Sequence, residues 1–127
     1  MTMPGVKKKR LVIEDEPDIQ TLISHRLSAM GYETLVASDG QMGLNMARKE
    51  VPDLILLDLM LPKIDGFKVC RMLKFDKTCE HIPIIIFSSR CAEADRKLAE
   101  QVGANAFLAK PFEWEVFTAL TKKHLLS

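Results

Sequence analysis

Apolar residues in this chain form short continuous runs, separated by longer stretches in which they recur every three or four positions. Leu11-Val12-Ile13 is the first run, and it ends abruptly in Glu14-Asp15-Glu16. A run without polar alternation is the pattern of a strand covered on both faces. Pro17 stands where a first helical turn tolerates proline, with Asp15 or Glu16 as the predicted cap. Ile19, Leu22, Ile23, Leu27 and Met30 then recur at helical spacing, and Gly31 supplies the stop. Residues 32–37 read as a second strand, Ser38-Asp39-Gly40 as a loop, and 41–50 as a helix with Met42, Leu44, Met46 and Ala47 as its apolar members. Gly43 weakens that helix locally. Leu54-Ile55-Leu56-Leu57 is the strongest strand signal and stops at Asp58. A loop over 59–66 carries Pro62 and Asp65-Gly66, and the next helix covers 67–74 with Phe67, Cys70 and Leu73 on one side. Ile84-Ile85-Ile86-Phe87 is a fourth strand ending in Ser88-Ser89, followed by a charged helix over 92–102 that Gly103 terminates. Residues 106–109 form a fifth strand ending in Lys110-Pro111, and 113–125 a last helix with Phe117 and Leu120 on its apolar side.

Five strands alternating with five helices on short connections predict βαβ crossovers, hence an α/β fold with a doubly wound parallel sheet. In such sheets the ligand crevice lies at the carboxyl ends of the strands, where strand order reverses. The residues delivered to that edge are Glu14-Asp15, Asp58, Ser88 and Lys110. Three carboxylates converging there repel one another, and a divalent cation relieves the repulsion. The donors are all oxygen, without His or Cys, which favours Mg²⁺ over zinc or copper. A carboxylate beside Mg²⁺ and a lysine ammonium is the equipment for phosphoryl transfer onto Asp58.

Composition narrows the classes without changing this picture. A chain of 127 residues, 47% hydrophobic and 28% charged, fits one ordinary globular domain. A net charge of +1 argues against nucleic acid as the main partner. Cys70, Cys79 and Cys91 are odd in number and form no CxxC pair, so a disulfide framework or zinc site is not expected and a reducing compartment is. Lys7 to Arg10 is basic but lacks a following apolar segment, and no run approaches a membrane span, so a cytoplasmic protein is expected. His25, His81 and His124 lie away from the predicted strand ends and read as solvated or partly packed. The methionines read as core filler, Trp114 as partly buried packing, Lys7–Arg10 as a solvated lead-in, and Asp39 and Asp53 as turn or cap residues.

Four segments together carry a family resemblance: Leu11 to Asp18, Pro52 to Pro62 with Asp65-Gly66, Pro83 to Ser89, and Gly103-Ala104 leading to Lys110-Pro111-Phe112. The sequence resembles the receiver domain of two-component response regulators, over nearly its whole length and in the family's order. Each motif alone is modest; all four in order are specific. The resemblance implies a flavodoxin-like, CheY-like sheet of order 2-1-3-4-5, with residues 1–8 as a short basic lead-in and 9–126 as the receiver domain. It implies Asp58 as phosphoacceptor, served by a sensor histidine kinase, a phosphotransfer protein or a small phosphodonor. Asp15 would bind Mg²⁺ directly, with Glu14 nearby, directly or through water, and the Met60 backbone carbonyl would complete the protein ligands. Lys110 would pair with Asp58 and later with a phosphoryl oxygen, Ser88 would donate its hydroxyl to another, and Pro111 would follow a cis bond. Phe107 takes the place of the family's switch aromatic, often Tyr, so an outward ring has no hydroxyl for a partner. Glu14 replaces the commoner Asp and Ser88 the commoner Thr.

Signalling on this reading passes to the face of the fourth helix, fifth strand and fifth helix, where Arg96, Lys97, Glu100 and Gln101 are candidates for the exposed side. The expected partners are the phosphodonor protein and a downstream protein target or a missing output domain, with no direct nucleic-acid or membrane contact. The chain ends about where its last helix does, so a stand-alone regulator and a receiver cut from a longer protein are both open. The segment from Lys74 to Ile82 leans toward stand-alone and cyclase-linked members. Two alternatives stand beside a signalling phosphoacceptor that is not an enzyme in its own right. One is a pseudo-receiver that binds without chemistry; the retained acids, Ser88 and Lys110 argue against it. The other is a HAD-like phosphatase using an aspartyl phosphate, for which Met60 stands where a second Asp is commonly needed.

Overall fold

The continuous apolar runs become the strands of one sheet because each strand feeds two cores. In the computed structural model, which describes residues 8–125, the elements alternate without exception: β1 (Lys9–Ile13), α1 (Pro17–Ala29), β2 (Glu33–Ala37), α2 (Gly40–Glu50), β3 (Leu54–Asp58), α3 (Gly66–Lys74), β4 (Ile84–Ser88), α4 (Glu93–Gln101), β5 (Ala106–Ala109) and α5 (Trp114–Leu125). The sheet is parallel throughout, in the order β2-β1-β3-β4-β5. Leu11, Ile13, Ile55, Leu57, Ile84 and Ile86 face one core with α2, α3 and α4. Val12, Leu54, Leu56, Ile85 and Phe87 face the other, against Ile23 and Leu27 of α1 and Phe117 of α5. Side chains alternate across a strand, so a strand buried on both sides has no polar positions to alternate with.

The chain doubles back around β1, which pairs with β2 on one side and β3 on the other. The carboxyl ends of β1 and β3 therefore flank the reversal point, where a crevice opens. Helix starts at this edge are capped from the sequence itself. Asp39 accepts from the Met42 N–H at 2.8 Å to start α2, and Asp65 from the Lys68 N–H at 3.1 Å to start α3. Each such cap stabilises its helix by roughly 1 kcal/mol. Pro17 opens α1 after Glu16, whose side chain makes no cap bond. Asp53 instead ties the sheet's other end, accepting from the Lys9 N–H at 2.8 Å.

Several expectations from the pattern are corrected. Arg10 is not part of a solvated lead-in: it is fully buried in β1, with its guanidinium 4.0 Å from the centre of the Tyr32 ring. Lys9 is half-buried and reaches Glu50 at 3.3 Å, and Lys7 lies outside the described residues. Leu22 sits at helical spacing but on the rim of the stripe, 52% exposed. Met42, Met60 and Met72 are exposed, so only some methionines fill the core. Gly43 is more than a weak point in α2: a Cβ there would lie 2.5 Å from Ile13 Cδ1, so glycine lets the helix settle onto β1. His25 and His81 are exposed and Trp114 is partly buried, as read; the His124 side chain lies outside what is described.

Candidate functional site

The acids that end the strands meet because the strands are parallel and in register. Glu14 follows β1 directly, its N–H bonded to the Ala37 carbonyl of β2 at 3.0 Å, which extends the ladder by one residue and turns the side chain inward. Asp58 is the last residue of β3, paired with Phe87 of β4. Glu14 is fully buried and Asp58 is 4% exposed, while Asp15 sits at the mouth. One carboxylate oxygen from each of the three falls within 4.8 Å of the others.

Lys110 makes this clustering tolerable. Its ammonium lies 3.0 Å from Glu14 Oε1 and 3.4 Å from Asp58 Oδ2, and stands 4.7 Å from the centre of the Phe87 ring. Expectation paired Lys110 with Asp58; the structure has it bridge both acids, closer to Glu14. The Lys110 N–H bonds the Ser88 carbonyl at 2.9 Å, which holds this residue at the end of β5 beside the site, and the Lys110–Pro111 bond is cis.

The Asp58 and Glu14 carboxylates are also held by backbone. Asp58 Oδ1 accepts the N–H of Met60, the residue expected to offer its carbonyl to the metal, at 3.1 Å. Glu14 Oε2 accepts the Glu16 N–H at 3.2 Å. The Asp15 carboxyl is raised from its ordinary value, first because the cleft edge strips part of its water and second because it shares a hydrogen bond with Glu14. Buried Ser88 ends β4 with its hydroxyl oxygen accepting the Arg90 N–H at 3.0 Å. Phe107 lies one strand over, half-buried on β5, with the Arg96 guanidinium 5.0 Å from its ring centre.

Other contributors left no trace in the sequence pattern. Gln20, one turn into α1, donates to the Glu14 carbonyl and to Ser38 Oγ, pinning the acidic loop across the cleft. Gly66 abuts the site from below: a Cβ there would lie 2.4 Å from the Asp58 carbonyl oxygen. The Asp65-Gly66 pair was visible as a loop motif, but its contact with the backbone of Asp58 was not.

The model of the response regulator receiver domain family matches residues 11–122. The chain belongs to that family. Receiver domains of this family are phosphoacceptors of two-component systems, and the strand order seen here is theirs. The chain is 42% identical over 107 residues to the alkaline phosphatase synthesis transcriptional regulatory protein PhoP of Bacillus subtilis, covering 84% of this chain and 44% of that protein. It is also 42% identical over 103 residues to the response regulator PleD of Caulobacter vibrioides, covering 81% of this chain and 23% of that one. The chain thus spans less than half the length of these curated relatives.

Among solved structures, it superposes on the receiver domain of a Pseudomonas aeruginosa sensor histidine kinase, determined with a magnesium ion coordinated in the active-site cleft. The TM-score is 0.89 at 30% identity, with 96% of this chain and all of that one covered. The BeF3-activated N-terminal receiver domain of Klebsiella pneumoniae RstA gives a TM-score of 0.86 at 30% identity, over 94% of this chain and 100% of that one.

Proposed function

We propose that Asp58 is the phosphoacceptor of this receiver domain. Glu14, Asp15, Asp58 and the Met60 backbone carbonyl hold Mg²⁺, and Lys110 and Ser88 receive the phosphoryl oxygens. The observation that carries this reading is the lysine ammonium set between Glu14 and Asp58, at 3.0 and 3.4 Å, with Asp15 in the same oxygen cluster. The donor set suits Mg²⁺, being oxygen only and small enough to leave positions for water and phosphoryl oxygens. When bound, the ion supplies positive charge to the transferring phosphoryl group. The chain's own residues do the rest. The Met60 N–H and Lys110 hold the two oxygens of Asp58, which fixes the carboxylate for in-line attack. A P–O bond to Asp58 forms as the donor's P–N bond breaks, and the bonding pair leaves on the imidazole. Lys110, already beside the Asp58 carboxylate, then neutralises charge on a phosphoryl oxygen.

The new group carries a charge of about −1.5 to −2. It draws Ser88 and Lys110 inward; Ser88 is paired with Ala109 of β5, so Phe107 on that strand repacks. The result is a shift in a pre-existing equilibrium of the α4-β5-α5 face, on which Arg96, Lys97, Glu100 and Gln101 are all exposed.

The phosphodonor is a sensor histidine kinase or phosphotransfer protein, seated in the apolar groove that includes Ile19, Leu22, Ile23, Ser89, Lys110 and Phe112. Lys110, which pairs with Glu14 and Asp58, lines that groove, and Leu22 supplies an exposed apolar contact. Downstream stands a protein target or an output domain, with no direct nucleic-acid or membrane contact by this domain. Among the described residues no helix is long and apolar enough to cross a membrane. A cytoplasmic setting accords with the three free cysteines. We take the receiver unit to run from 9 to 126, and to act on its own phosphorylation rather than to turn over a foreign substrate.

Incubation with acetyl phosphate and Mg²⁺, followed by intact-protein mass spectrometry, tests the proposal. Wild type should gain one phosphoryl group and Asp58→Asn none. An unmodified wild type would point to a pseudo-receiver, and rapid turnover of foreign phosphoesters to an enzyme. An adduct surviving in Asp58→Asn would overturn the assignment.

A further inference from the structure

The loop between β4 and α4 is held by one side chain that no part of the site accounts for. Asp95, on the first turn of α4, is 7% exposed. Its Oδ1 takes the Arg90 Nε–H at 2.8 Å, and its Oδ2 takes the Ala92 N–H at 3.2 Å. A single buried carboxylate thus grips the loop at a side chain near its start and at the backbone where the helix begins. The same Arg90 gives its backbone N–H to the Ser88 hydroxyl oxygen at 3.0 Å. Its guanidinium also stands 5.8 Å from the Phe67 ring centre on α3. Asp95 is therefore joined to Ser88 through one residue. A movement of Ser88 toward a group on Asp58 has to drag the Arg90 backbone or release its N–H.

We propose that Asp95 is a positioning residue for Ser88: the Arg90–Asp95 pair is a latch that holds the hydroxyl in its resting place and opposes its capture by a phosphoryl group. This deepens the phosphoacceptor reading and rests on it. The latch is a charge-assisted hydrogen bond with its acid buried and its arginine side chain 59% exposed, so it opens without stranding the arginine away from water. On this proposal capture of Ser88 pulls the Arg90 backbone and breaks the latch, so opening it beforehand relieves a restraint that only the resting form carries. Loss of the latch therefore favours the bound form.

The test measures beryllofluoride binding in the presence of Mg²⁺ by titration calorimetry, on wild type, Asp95→Asn, Arg90→Gln and the double variant, with thermal unfolding of each. Both single variants should bind beryllofluoride more tightly, by about fivefold, the factor expected for one net hydrogen bond. The double variant should gain no more than either single one, because both act through one contact. General loosening of the fold would lower Tm and weaken binding, so tighter binding is not a symptom of damage. Unchanged or weaker binding in Arg90→Gln, or additive gains in the double variant, would overturn the latch. Should Asp95→Asn fail to fold, Arg90→Gln alone decides, since its side chain lies largely in solvent. A wild type that binds no beryllofluoride would refute the phosphoacceptor reading instead.

Discussion

Gly66→Ala adds one methyl group where the fold has no room for it. The added carbon would lie 2.4 Å from the Asp58 carbonyl oxygen, 2.6 Å from Leu59 Cα and 3.1 Å from the Asp58 carbonyl carbon. All three are backbone atoms, and the Gly66 N–H is itself bonded to the Leu59 carbonyl at 2.9 Å, so no side chain can swing aside. Overpacking of a tight site costs about 1–3 kcal/mol. Three rigid backbone atoms this close put the cost at the upper end, and the helix preference of Ala over Gly returns at most about 1 kcal/mol. The expected net loss is about 2 kcal/mol. Gly31→Ala is the internal control: its φ is +91°, but a Cβ there meets nothing within 4 Å, so only conformational strain of about 1 kcal/mol is expected. Urea unfolding of both variants gives the comparison through the midpoint at constant slope. Gly66→Ala should be the less stable of the two. A loss below that of Gly31→Ala would refute the claim that α3 is seated directly on the Asp58 backbone.

Other outcomes follow from the same geometry. Lost hydration raises the Asp15 carboxyl from its ordinary value, so in the acid range a proton competes with the metal: Mg²⁺ affinity, followed by calorimetry, should rise with pH through that range, and Asp15→Asn should flatten the rise. Under native conditions a maleimide should label Cys91 and spare Cys70 and Cys79, which are fully buried. Burial pushes the Cys70 thiol up to about 11. Its folded value exceeds its unfolded one, so its contribution to stability is whole below about 8.5 and is lost as pH rises toward the folded value. Cys70→Ala should lessen that alkaline decline. Arg10→Met should leave stability unchanged or raise it by about 1 kcal/mol in urea unfolding, because the guanidinium is buried with Nε and one terminal nitrogen unpaired among the described residues. A loss above about 2 kcal/mol would contradict this.

The sheet was legible because continuous apolar runs such as Leu54–Leu57 admit few other readings once they end in acids and recur between helical stretches. The site was legible for a related reason: in a parallel sheet, whatever ends the strands is brought to one edge, so the positions of Glu14, Asp58, Ser88 and Lys110 at strand ends suffice to group them. What stayed hidden are pairings between distant positions. Nothing local says that Lys110 lies nearer to Glu14, 96 residues away, than to Asp58. Arg10 looked like one more charge in a basic run, yet β1 begins at Lys9 and carries it inside, under Tyr32. Leu22 and Met42 have the spacing of core residues and sit at the edge of their stripes, where the width of the covered face, set by neighbouring helices, decides exposure. The Asp95 grip on the β4–α4 loop looked like ordinary charge on a polar helix, because an acid in a first turn is common whether or not it reaches back.

The chemistry of Asp58 is the central claim, and borohydride trapping reaches it most directly. The protein is treated with acetyl phosphate and Mg²⁺, reduced with borohydride, digested and sequenced by tandem mass spectrometry. Reduction of an aspartyl phosphate gives homoserine, so the account predicts homoserine at position 58 and an unreduced aspartate when Mg²⁺ is withheld. Homoserine at any other acid, or its appearance at 58 without the metal, would contradict it.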